Sequence, residues 1–141
     1  MDVEKIWSLF QSHMGYTDEE MDIFRSDPEK VEMVTQRPAF VKNRIVAEVI
    51  ESHGCHAQHR VGDRFVMTGG GQLINEECPK RMCMSALGPV SNILPAIYER
   101  FMIDADPDFE RSQVVQCTDV GLDKGGWGKV LMKVYVEKNP E

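Results

Sequence analysis

The hydrophobic pattern changes its period at about Lys42, and that change most limits the folds open to the chain. Before it, Val3, Ile6, Trp7, Phe10 and Met14 recur at three- and four-residue spacing and form one stripe of a helix. Gly15 follows where a left-handed C-cap is needed. Thr17 and Glu20 make a T-x-x-E capping box, and Met21, Ile23 and Phe24 supply the buried side of a second short helix. Asp27-Pro28 is an N-cap with Pro at the first helical position, opening a third helix to about Thr35 that Pro38 ends.

After Lys42 the pattern alternates. NRIVAEVIES is rich in β-branched residues and predicts a strand; RFVMT, Gly69-Gly70-Gly71 and QLIN predict a hairpin or near-hairpin. Helical spacing returns from Pro79 to about Met102. Gly88-Pro89 and Pro95 interrupt it, predicting a short helix at about 80–87 and a longer one from about 89 or 92 to 102. Asp104 to Asp108 reads as an acidic turn without the Gly and distal Glu of a calcium loop. QVVQC and GKVLMKVYVE predict the last two strands, the second placing Val130, Met132, Val134 and Val136 on one face. The order implies an α+β fold: N-terminal short helices, then a small mostly antiparallel sheet with a central helix packed on it.

Charge follows the same division. The 141 residues carry 23 acids and 16 bases, a net −7. Residues 1–41 hold nine acids against four bases, and residues 42–141 hold fourteen against twelve. The chain therefore reads as an acidic helical arm, 1–41, and a nearly neutral α+β core domain, 42–141. The acidity argues against nucleic acid as a partner, since phosphate binding needs an excess of Lys and Arg on one face. An arm with Trp7 and Phe10 on its apolar stripe is expected to cover a surface, either the core or a second subunit in a homodimer. MDVEKIWSLF has acids where a signal peptide has bases, and no apolar run reaches the ~18–20 residues of a membrane span. Four cysteines are too sparse for a disulfide scaffold, so the expected location is the cytoplasm, without membrane attachment.

Three polar clusters interrupt the regular pattern, and each contains Cys. HGCHAQHRVGD brings His53, Cys55, His56, His59 and Asp63 between two strands. EECPKRMC brings Cys78 and Cys83 to the start of the central helix, and QCTDVG brings Cys117 and Asp119 to a strand end. If these ends meet at one sheet edge, Cys55, Cys78, Cys117 and His59 make a ligand set for Zn or Fe, with Asp63 and Asp119 around it. The C-x₃-H spacing of Cys55 and His59 lets one loop supply two ligands, although no C-x₂-C pair is present. A cofactor-free alternative uses a thiol of Cys55, Cys78 or Cys117 as nucleophile or proton donor, His59 as base and Asp63 or Asp119 to orient it. Against both stands the reading of the cysteines as small buried hydrophobes, above all Cys83 between Met82 and Met84. Lys124-Gly125-Gly126-Trp127-Gly128 predicts a turn whose aromatic either lids a pocket or covers the sheet edge.

From about Asn43 to Glu137 the chain resembles a small uncharacterised family of anaerobic bacteria and archaea. The resemblance rests on Cys55-x₃-His59-x₂-Gly62-Asp63, then Cys78-Pro79 opening a helix, then Cys117-x-Asp119 before a last strand. It implies that Cys55, His59, Asp63, Cys78, Cys117 and Asp119 belong together, and it names residues rather than a reaction. Gln58 stands where relatives often have Gly, and Lys80-Arg81 where they often have Trp-Ala. Three functions follow as expectations. One is a Cys/His site binding Zn or Fe in the small-molecule metabolism of an anaerobe. The second is a cofactor-free enzyme using a Cys–His pair for acyl transfer or proton abstraction, with Cys55, His59, Cys78 and Asp119 as catalytic candidates. The third is a non-catalytic assembly module docking through its N-terminal helices.

Overall fold

A computed structural model describes residues 2–36, 39–103 and 113–140. The chain divides into two compact units, 1–38 and 39–141, so the boundary lies a few residues before the one drawn from the sequence. Pro38 and the acidic stretch from Asp104 to Asp108 lie outside the described residues.

The first unit consists of α1 (Val3–Met14), α2 (Asp18–Arg25) and α3 (Pro28–Gln36). Each start is held by the cap its sequence offers. Asp2 accepts from the Glu4 amide, and Thr17 and Glu20 exchange both bonds of the capping box. Asp27 accepts from the Glu29 amide. Gly15 closes α1 at φ 71°, the left-handed conformation expected of it. The apolar stripe finds partners within this unit: Trp7, Phe10, Tyr16 and Phe24 pack ring on ring at centroid distances of 4.8 to 6.3 Å.

The second unit opens with one helical turn, α4 (Ala39–Lys42), and continues directly into β1 (Asn43–His53). With β2 (Arg64–Thr68), β3 (Gln113–Gln116) and β4 (Lys129–Lys138) it makes an antiparallel sheet in the order β2-β1-β4-β3. A helix, α5 (Met84–Met102), packs on it, so the fold is α+β. Period-2 patterning sets the core: Ile45, Ala47 and Val49 of β1 meet Val130, Met132 and Val134 of β4 under Val90, Ile97 and Phe101 of α5. The opposite face is closed by charge. Arg44, 6% exposed, pairs with Glu77 at 2.8 Å and Glu137 at 3.0 Å, and Arg64 donates to Glu137 at 2.6 Å. Among the described residues no helix is long and apolar enough to cross a membrane.

One local reading narrows and another changes. QLIN makes a near-hairpin rather than a full second strand: the Thr68 amide donates to the Gln72 carbonyl and the Ile74 amide to the Val66 carbonyl around a single bridge from Leu73 to Met67, and the chain then enters a 3₁₀ turn at Asn75–Glu77. The pairing stops after Ile74 because the Cys78 thiol takes the Val66 amide (3.3 Å) and shares its carbonyl (3.4 Å) with the Ile74 amide. The central helix is also unbroken through Pro89 and Pro95, and it starts at Met84 rather than about 80. Pro89 removes the N–H that would bond the Ser85 carbonyl four residues earlier. That carbonyl instead accepts the Thr118 amide at 3.0 Å, so the loss of a helix bond becomes a tie to the segment after β3.

Phe101 is fully buried and meets Phe40 edge-on at 5.0 Å. Phe101→Ala is expected to cost about 3–5 kcal/mol by leaving a cavity between helix and sheet. Urea denaturation followed by far-UV circular dichroism measures it, and a loss below 1 kcal/mol would contradict this placement of the core.

Candidate functional site

The site is built where β1 ends. Ile50 is an extra residue in β1: Val49 pairs with Met132 and Glu51 with Leu131, so the strand bulges. Beyond the bulge the loop to β2 is tied down along its length. The Val49 amide donates to Asp63 and the Gly62 amide to the Val49 carbonyl, while the Ser52 hydroxyl donates to the His59 carbonyl at 2.5 Å. Gln58, before His59, has φ 60°, a left-handed conformation that favours glycine. These ties drive the His59 ring inward, 3% exposed and edge-on to Phe65 at 5.0 Å.

His59 Nε2 accepts the Cys83 amide at 3.2 Å. That bond joins the β1–β2 loop to the residue that caps α5, whose own carbonyl accepts the Ala86 and Leu87 amides. The accepting Nε2 assigns the ring proton to Nδ1. Burial pushes the imidazole below its ordinary value of 6.5, against the opposing pull of the Asp63 carboxylate, so His59 is held neutral.

A third segment arrives from β3. The Cys117 amide donates to the Val130 carbonyl, and the chain then enters a glycine-rich turn organised by Asp119. Its carboxylate accepts from the amides of Gly121 (3.0 Å), Trp127 (3.0 Å) and Gly128 (3.1 Å). The Gly121 amide first, then those of Trp127 and Gly128, hold its pKa below the usual carboxylate value. At the turn's end Gly128 lies against Gly54, and a Cβ on Gly128 would overlap the Gly54 carbonyl. This backbone contact lets Trp127 reach the Cys55 loop, with its ring 5.8 Å from that of His56.

The three segments enclose a largely apolar cavity of about 280 Å³. Three thiols, Cys55, Cys83 and Cys117, line it, all free and half-buried. His59 forms part of the wall, Ala57, Ala86 and Val130 add apolar surface, and Trp127, 73% exposed, stands over it with His56. Ser85, Asp119 and Lys129 supply the polar rim.

Of the sequence-derived residues, Cys55, His59, Cys117 and Asp119 come together here. Cys78 does not: its thiol is spent on the edge of β2. Asp63 lines a neighbouring polar depression and accepts the Arg60 amide at 2.9 Å. Cys83 packs against the core, as the sequence assigns it, and also lines the cavity as its third thiol. Its sequence signal is only its place at the helix start. Among the described residues no three His, Cys, Asp or Glu side chains are arranged to hold a metal ion. His59 Nε2 and the Asp119 oxygens are already engaged with backbone amides. No protein family, curated protein or solved structure matches the chain.

Neutral His59 ties stability to pH. Its folded pKa lies below 6.5, so its contribution is complete above that value and is lost as pH falls through the depressed value. The melting temperature is expected to drop between pH 7 and 5, and His59→Gln to flatten that dependence. His59→Ala, which leaves the Cys83 amide unpaired, is expected to cost about 1–3 kcal/mol at pH 7 by chemical denaturation.

Proposed function

We propose that the protein binds a small, largely apolar molecule in the thiol-lined cavity, and that any chemistry done there is cofactor-free thiol chemistry. The observation that carries this reading is convergence. Three of the four cysteines, from three separate segments, line one cavity with a buried neutral imidazole. Cavities of this kind, mostly apolar with a few polar groups, suit small molecules. Cys55, Cys83 and Cys117 are the candidate reacting groups, because a thiol can bond a soft electrophile without a cofactor. His59 acts here as a fixed wall and orienting acceptor for the Cys83 amide, since the nitrogen that would take a proton already accepts one hydrogen bond.

The Zn or Fe reading would need the same three thiols, with Cys83 in the place the sequence gives to Cys78, to close on an ion, since no three such side chains among the described residues are arranged to hold one. It requires His59 to give up the Cys83 amide before Nε2 can serve as a ligand. Elemental analysis of protein purified without oxygen separates the two readings, combined with iodoacetamide labelling of the native chain mapped by peptide mass spectrometry. The expected outcome is no stoichiometric Zn or Fe, with Cys55, Cys83 and Cys117 labelled faster than Cys78. Stoichiometric metal that is lost in Cys55→Ala would overturn the cofactor-free reading in favour of a metal centre.

A further inference from the structure

Beside the thiol cavity lies a second, polar depression of about 520 Å³, and the two share His56, Ala57 and His59 as a common wall. Three cations line the second depression: Arg60 from the β1–β2 loop, and Lys80 and Arg81 from the segment leading to α5. One carboxylate, Asp63, accompanies them, and it already accepts the Arg60 amide. Arg60, Lys80 and Arg81 make no ion pair among the described residues. Residues 42–141 are nearly neutral, so three cations without an ion-pair partner gathered at one depression make a local excess of positive charge. Their mutual repulsion is relieved by an anion placed among them.

We propose that the two depressions form one bipartite site, and that its ligand is an amphiphilic anion. The apolar body occupies the thiol cavity, and a carboxylate or phosphate head lies among Arg60, Lys80 and Arg81. This rests on the thiol cavity being the binding site, and it adds the chemical class of the ligand. The charged donor set favours an oxyanion head over a neutral polar one. Arg offers a planar fork of donors matched to carboxylate or phosphate, and Lys adds a point charge. Three cations against one carboxylate make this depression a local attractor for anions, with an effect that weakens as salt rises. His56, exposed on the shared wall, lies at the crossing between the apolar and the charged parts.

The test uses the full chain and three probes with the same apolar chain: octanoate, octyl phosphate and octanol. The readout is protection of Cys55, Cys83 and Cys117 from iodoacetamide at low ionic strength. Octanoate or octyl phosphate is expected to protect at concentrations about ten-fold or more below octanol, and the better of the two identifies the head group. Each single substitution, Arg60→Ala, Lys80→Ala or Arg81→Ala, is expected to weaken anion protection about two- to five-fold. The triple variant is expected to bring the anions to the level of octanol while its melting temperature stays unchanged, as all three side chains are exposed. Octanol protecting as well as both anions, or a triple variant that keeps its anion preference, would overturn the proposal and leave the cavity reading standing. No protection by any probe would overturn the cavity reading and this inference with it.

Discussion

The hydrogen bond from the Cys83 amide to His59 Nε2 sets where the central helix begins and where the loop after β1 must lie. An imidazole is an unusual helix-start partner, because it can serve only while neutral. Burial against Phe65 keeps it so, and the Ser52 hydroxyl holds its backbone in place. Once α5 starts at Met84, the phase of every later residue follows, from Ala86 and Val90 to Ile97 and Phe101 on the core side. The Cys83 side chain then packs against the core and also borders the cavity. One weak bond thus couples the hydrophobic core to the chemistry at its edge.

The other two walls are positioned by backbone rather than by side chains. Gly54 and Gly128 approach too closely for a Cβ, and Asp119 gathers three amides of the turn that carries Trp127. Pro89 contributes by what it lacks, since the helix carbonyl it frees is taken by Thr118, two residues before the chain leaves the cavity rim. The walls of the cavity are therefore fixed by backbone contacts, and its lining is largely apolar with three free thiols.

Much of this was legible in the residues. Caps at Asp2, Thr17 and Asp27 and the alternation in both long strands depend on neighbours within a few positions, so their patterns survive in one dimension. The convergence of Cys55 and Cys117 was legible only as two cysteines at element ends. Cys78 and Cys83 could not be assigned that way. Their roles turn on which one faces β2 and which one starts the helix, and that choice is made by Val66 and His59, far away in sequence. Pro89 misleads for a related reason: its cost depends on whether another donor finds the vacated carbonyl, which composition cannot tell. Arg60, Lys80 and Arg81 lie in two segments and form a cluster only after folding.

The Cys78 thiol has a consequence of its own. By accepting from the Val66 amide and donating to its carbonyl, one sulfur occupies the pair of groups through which another strand would extend the sheet. A side chain here imitates a peptide unit and continues the cover that residues 72–74 lay over the β2 edge. Loss of the bonds made by that sulfur would free only the Val66 amide, because the Ile74 amide keeps the Val66 carbonyl and the neighbouring part of the edge stays under residues 72–74.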